Sequence, residues 1–373
     1  MIFIFLSTLR LELFLNLHLC VLLGHQNSLG TNLLEKTIEY NCINVHYLNM
    51  LRIIIIFFTI MLISCDNYSG SQVVNSQVEL ARERNDGPAI WVLKDSDTVL
   101  YLYGTVHLLP PDLNWQKNDM KKAFSSSGTI FFEVNSGTDE KVAANILATS
   151  LGMRQDGLRL SDGLDNYQLK LLEAVAHNGN LSIAALDSFK PWFASEFITM
   201  AAAKSADLSS ELSADEALKS RAMRDKKNII YLETVEEQIL ASVNLSHSTQ
   251  ISILTESLEG FNSLGDDLNS IAKSWALGRT DYLSRELVET MKYKSPEFYN
   301  SLILERNKKW LDKLIFFIEG SGTGFAAVGI SHLLGEDSLI EMLRKQGYEV
   351  SRYYAFQGPN VIRPINPSIE KPN

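Results

Sequence analysis

Two stretches of this 373-residue sequence carry the same chemical pattern. Thr98 to Tyr103 (TVLYLY) is rich in β-branched and aromatic residues and runs straight into Gly104-Thr105-Val106-His107. Phe325 to Val328 runs in the same way into Gly329-Ile330-Ser331-His332. Each reads as a strand followed by Gly-x-x-His. A glycine frees the backbone to bend sharply as it leaves the strand, so the histidine beyond it can turn back over the sheet edge. Two carboxylates stand in equivalent places. Glu133 lies near the end of the apolar strand Thr129 to Val134, and Glu233 directly follows the strand Asn228 to Leu232. In open α/β sheets ligands gather beyond the carboxyl ends of the strands. Neutral imidazoles with a carboxylate can hold a divalent ion there, Zn²⁺, Mn²⁺ or Co²⁺. Alternatively, a histidine can work as a general base beside Glu133. Taken singly, each residue also has a plainer use. A histidine after a strand can cap a loop, Glu133 can face solvent, and Glu233 can sit at a helix N-terminus near Thr234. The repetition of the strand and Gly-x-x-His is what singles the pair out. His177 and His247 fall in helical patterns and read as surface residues.

The elements that must position these residues form a β-rich beginning and end around a helical middle. Ala89 to Lys94 and Thr98 to Tyr103 read as a hairpin with its turn at Asp95-Ser96-Asp97. A helix over Trp115 to Phe124 then leads to the Thr129 strand, which predicts a right-handed crossover and a parallel pair. Three- and four-residue apolar spacing predicts helices over 139–150, 165–177, 192–204, 211–226, 235–245, 247–274, 279–291 and 296–318. After the second Gly-x-x-His a helix over Glu336 to Gln346 ends at Gly347, and Tyr348 to Phe356 is a last strand. The expected fold is α/β, with a mixed, largely parallel central sheet drawn from both ends of the chain. The glycine-rich stretch Gly320 to Gly324 precedes a strand instead of joining strand to helix, so it reads as a turn and not as a phosphate loop.

Composition removes several function classes. Lys and Arg number 34 against 44 Asp and Glu, a net charge of −10, and no basic cluster suggests a nucleic-acid partner. The cysteines are Cys20, Cys42 and Cys65, so no disulfide framework or thiolate metal site is available beyond residue 65. There is neither a His-Glu-x-x-His nor a Gly-x-Ser-x-Gly motif. The first 64 residues read as processing sequence. Met50-Leu51-Arg52, the short apolar run Ile53 to Ile63, and Leu62-Ile63-Ser64-Cys65 have the form of a lipoprotein signal peptide over 50–64. Residues 1–49 then read as an upstream extension, with translation starting at Met1 or Met50. Acylated Cys65 would hold the chain on a bacterial envelope membrane, facing the periplasm or exterior. Residues 65–86 read as a flexible tether, 87–357 as the domain with a helical insert at about 139–318, and 358–373 as a loose tail.

Five blocks of this sequence resemble the TraB/PrgY/GumN family, which includes the Tiki-type proteases. They are Pro88 to Trp91 with Tyr101 to Pro110, Phe131 to Val134, Leu232 to Gln238, Glu305 to Trp310, and Phe325 to Gly335 followed by Gly347-Tyr348. The resemblance spans roughly residues 87–356. It implies a fold shared with ChaN-like and erythromycin-esterase-like proteins. It also implies a metal-dependent protease centre on His107, Glu133 and His332, with Mn²⁺ or Co²⁺ as the ion. Arg306 and Asn307 match a further block, and Arg306 could stabilise a developing oxyanion. Three activities therefore stand as expectations: a metal-dependent hydrolase of peptides or proteins outside the cytoplasm, a metal-independent His/Glu esterase, and a membrane-tethered module that binds a peptide or signal without turnover.

Overall fold

The computed structural model describes residues 87–355. Cys65, the signal peptide, the tether and the chain beyond residue 355 lie outside the described residues. Six strands form one sheet: β1 (Ile90–Lys94), β2 (Thr98–Thr105), β3 (Thr129–Phe132), β4 (Asn228–Tyr231), β5 (Gly322–Gly329) and β6 (Val350–Arg352). Their spatial order is β4-β3-β5-β2-β1-β6. The first four of these run parallel to one another, and β1 runs antiparallel to both of its neighbours. The hairpin turn forms as its residues dictate, with the Asp95 carboxylate accepting from the backbone N–H groups of Asp97 and Thr98.

The principal helices are α1 (Asn118–Ser126), α2 (Thr138–Gly152), α3 (Asn166–Asn178), α4 (Pro191–Ser205), α5 (Ala214–Arg224), α6 (Val235–Val243), α7 (His247–Ala276), α8 (Glu305–Ile318) and α9 (Leu339–Lys345). Polar N-caps start them where the sequence offers one: Asp165, Ser213, Thr234, Ser246 and Ser338 each accept from a backbone N–H of the first turn. Gly347 follows α9 with φ +93°, the left-handed position that ends a helix. Between α7 and α8 the chain twice widens into π-helix, at Ser284–Glu289 and Asn300–Leu304.

Three expectations need correction. β2 and β3 are parallel but not paired, because β5 lies between them and pairs with both. Their crossover signal was local, whereas the intervening strand arrives nearly two hundred residues later. Gly322 to Gly324 is no turn: it opens β5, with Thr98 opposite Gly322 and Leu100 opposite Gly324. The last strand is shorter than expected, confined to Val350–Arg352 where it can reach β1.

The sheet core is aromatic. Tyr103, Phe124, Phe131, Phe325, Trp275 and Trp310 are fully buried against it. A second apolar cluster of Leu172, Leu186, Ile198, Leu254 and Leu258 holds α3, α4 and α7 together. The parallel order sets β4, β3, β5 and β2 side by side with their carboxyl ends along one edge. That edge is where Glu233, Glu133, His332 and His107 follow their strands.

Candidate functional site

Gly329 marks the centre of this edge. A Cβ built on it would lie 3.2 Å from Glu133 Oε1, 3.6 Å from His107 Nε2 and 3.6 Å from His332 Cδ2. The two Gly-x-x-His stretches and the carboxylate therefore meet, although they come from opposite ends of the domain. The glycines serve close approach and not the sharp bend expected of them, since neither has a positive φ. At Gly104 an added Cβ would fall 2.2 Å from Ile330 Cδ1, a residue of the other Gly-x-x-His stretch.

Each imidazole has its Nδ1 against an orienting side chain. His107 Nδ1 lies 2.8 Å from Asp215 Oδ2, and Asp215 Oδ1 accepts from Thr105 Oγ1 at 2.8 Å. Asp215 sits in the first turn of α5, where the helix dipole favours a carboxylate. As an acceptor, it takes the Nδ1 proton of His107, and in the neutral ring that tautomer places the lone pair on Nε2, the nitrogen facing Gly329. His332 Nδ1 lies 2.7 Å from Asn307 Oδ1, and Arg306 Nη1 lies 3.1 Å from His332 Nε2. A guanidinium can only donate, so Nε2 accepts and Nδ1 donates to Asn307. Burial, reinforced by Arg306, pushes His332 down to about 3, so its imidazole is neutral at ordinary pH. The two successive residues Arg306 and Asn307 thus grip one ring from either side, directly after the π segment Asn300–Leu304. Such π-bulges commonly re-aim side chains at functional sites.

Arg306 is the hub of the buried charges. Its Nε and Nη2 donate to the Glu233 carboxylate at 3.0 and 2.6 Å. Nη2 also donates to Glu133 Oε2 at 2.8 Å, and Nη1 to Leu302 O at 3.0 Å and to His332. The guanidinium lies 4.6 Å from the Trp310 ring, whose Nε1 donates to Glu233 Oε2 at 3.2 Å. Gln238 Nε2 donates to both Glu133 and Glu233, each at 3.2 Å. Glu133 Oε1 accepts the Gly329 N–H at 2.6 Å. Burial works to neutralise Glu133, but Arg306 and that N–H outweigh it and hold the carboxyl well below the usual range. In Glu233 burial prevails over Arg306 and the pKa is raised. All five N–H groups of Arg306 have partners here, and they order the two carboxylates and the His332 ring.

The structure thus gathers His107, Glu133, His332, Glu233, Arg306 and Asn307 at one edge, with Gly104 and Gly329 making room. His177 and His247 are exposed on helices, as expected. Sequence reasoning missed Asp215 and Lys219, and it gave no role to Gln238 and Trp310, which close two of the blocks that carry the resemblance. Lys219, one turn after Asp215 on α5, donates to Ser136 Oγ at 2.5 Å and Val134 O at 3.5 Å, pinning the chain just past Glu133. An apolar hollow lined by Phe131, Ile230, Phe316 and Phe317 contains none of the site residues.

The donor set fits a divalent ion in type. Two imidazoles present Nε2 lone pairs, each with the outer partner that orients a metal-binding ring, and one carboxylate stands beside them. Arg306, however, occupies the lone pair of His332. Among the described residues no group of three or more His, Cys, Asp or Glu is spaced as an ion cage.

A model of the TraB/PrgY/gumN family matches residues 89–352. The chain is 23% identical over 257 residues to the uncharacterized protein YbaP of Escherichia coli K12, covering 69% of this chain and 92% of that one. It is 22% identical over 322 residues to a protein of Nematostella vectensis named metalloprotease TIKI homolog, covering 72% of this chain and 67% of that one. The comparison with solved structures gives no match.

Proposed function

The chain belongs to the TraB/PrgY/gumN family, and from that premise we propose that it is a hydrolase of peptide bonds centred on His107, Glu133 and His332. The observation that carries this reading is the convergence of those three side chains on Gly329 with both imidazoles held in one tautomer. The relative named a metalloprotease supports the reaction class.

A divalent ion, Mn²⁺, Co²⁺ or Zn²⁺, would be held by His107, Glu133 and His332, and would supply Lewis acidity that polarises a carbonyl oxygen and lowers the pKa of water. The chain's own groups prepare the place. Asp215 and Asn307 keep the Nδ1 protons, so both Nε2 atoms remain lone-pair donors. Arg306 and the Gly329 N–H keep Glu133 ionised. Half-exposed His107 faces the substrate side, while His332 and Glu133 form the buried floor. The substrate is a peptide or protein, consistent with an acidic chain that offers no basic surface to nucleic acid. The lipobox at Cys65 supports work outside the cytoplasm on a membrane tether; among the described residues no helix is long and apolar enough to cross a membrane.

A second reading keeps the centre without an ion. The His107–Asp215 pair has the arrangement of a general base with its orienting carboxylate, and that observation favours it. Elemental analysis and peptide hydrolysis before and after chelation separate the two. Stoichiometric ion, with activity lost to chelator and restored by Mn²⁺ or Co²⁺, is the expected result. Activity that survives chelation in ion-free protein selects the general base. Peptide binding without any cleavage discards the hydrolase and leaves a tethered binding module.

A further inference from the structure

Arg306 contacts two of the three proposed ion ligands, and a second carboxylate, Glu233, as well. On Glu133 it takes Oε2 and on His332 it takes Nε2, the lone pair an ion would need. On Glu233 it makes a separate two-pronged contact through Nε and Nη2. We propose that Arg306 is a built-in competitor for the divalent ion: the guanidinium fills the cation position on Glu133 and His332, and ion loading displaces it onto Glu233. This rests on the ion-binding reading above.

Charge and geometry argue for it together. Glu133 and Glu233 share one buried arginine, so the pocket already has a resident cation, and a second cation on the same imidazole nitrogen would face it at hydrogen-bond range. Two positive groups cannot occupy one lone pair, and repulsion between them is poorly screened away from water. Displacement does not strand the guanidinium. The Glu233 fork remains, and so do the Trp310 face and the Leu302 carbonyl. Glu233 in turn is secured from its other sides by Trp310 Nε1 and Gln238 Nε2. Glu233 therefore acts as the seat that keeps the arginine nearby and ready to return. This explains why two buried carboxylates are paired with a single arginine, when Glu133 alone would suffice for an ion site. It also gives the ion requirement a threshold: only ion concentrations high enough to beat an internal cation would load the centre.

The test is calorimetric titration of Mn²⁺ alone into the full chain, with no substrate present. Wild type, Arg306→Gln, Arg306→Lys and the double variant Arg306→Gln/His107→Ala are compared, each checked for folding by circular dichroism. Arg306→Gln should bind Mn²⁺ at least tenfold more tightly than wild type. Arg306→Lys, which cannot span Glu233 and His332 at once, should fall between the two, and it stands in if the glutamine variant fails to fold. Adding His107→Ala should erase the gain. Equal or weaker binding by both Arg306 variants overturns the competitor while leaving an ion site that wild type fills. A gain that survives His107→Ala places the ion elsewhere and also overturns it. No binding by any folded variant overturns both this proposal and the ion reading beneath it.

Discussion

At the scale of single residues, the two motif glycines are needed for different reasons, and substitution should separate them. A methyl group on Gly104 would collide with Ile330 in the packed core, 2.2 Å from its Cδ1 and 3.0 Å from its backbone Cα. Gly104→Ala should therefore destabilise the fold by about 1–3 kcal/mol, the usual cost of overpacking, visible in a urea melt. A methyl on Gly329 meets Glu133 Oε1 and the two imidazoles at 3.2 to 3.6 Å, where only the carboxylate must yield slightly. Gly329→Ala should melt near the wild-type temperature yet lose hydrolysis, because the methyl occupies the space the reacting groups share. Asp215 gives a second residue-scale expectation. An asparagine there can offer its amide N–H to His107 Nδ1, driving the proton to Nε2, which can then neither hold an ion nor accept a proton. Asp215→Asn should lower kcat by about 10²–10⁴-fold while melting stays near wild type; an unchanged pH–rate profile and kcat would show that His107 is not orienting chemistry. The motif residues were legible because strand, glycine and histidine recur in line. Asp215 was not, because an acidic residue two places after a serine N-cap looks like any helix start, and its partner lies over a hundred residues away.

At the scale of elements, one helix face positions both flanks of the site. Asp215 and Lys219 lie four residues apart on α5, so they share a face. The first holds the chain after β2, and the second holds the chain after β3. Burial pushes Lys219 down to about 8 from its ordinary value near 10.5. The sign follows from proton counting. Between about pH 8 and 10.5 the unfolded chain keeps a proton on this lysine that the folded chain has released. Stability therefore rises with pH across that window, and below it the cost of the buried ammonium is full and constant. Urea unfolding of wild type and Lys219→Met should show their difference shifting in favour of wild type from pH 8 to 10.5; a flat difference would mean that the ammonium is not desolvated in the folded state. Most strands and long helices were legible from period and caps, as the spans of α2, α3, α4 and α7 show. The two π segments were not, since Asn300–Leu304 reads as ordinary helix and its wider turn makes sense only once Arg306 and Asn307 must both reach His332. The place of β5 was likewise invisible in sequence, because strand order is decided by tertiary pairing and not by local signals.

At the scale of the whole molecule, the candidate edge exists only after β5 has entered between β2 and β3. The pairing of Tyr103 with Ala327, and of Phe132 with the same Ala327, closes contacts across some two hundred residues. High sequence separation of this kind slows folding, while the place where the folded protein works is a matter for the residues before the domain. The Leu62-Ile63-Ser64-Cys65 sequence would set that place. Acyl chains on Cys65 would add about 0.8 kcal/mol per buried CH₂, and stable anchoring takes more than one chain, which the modification of a lipoprotein cysteine would provide. A net charge of −10 gives the protein no overall electrostatic attraction to anionic lipid. Cys65→Ser should therefore move the protein from the membrane pellet to the soluble fraction, and leave hydrolysis of a soluble peptide unchanged, because the proposed centre is assembled on strands within residues 90–352. A Cys65→Ser protein that still sediments with membranes would refute the lipid tether. A protein that is released but inactive would mean that the centre depends on the membrane as well as on its own sheet.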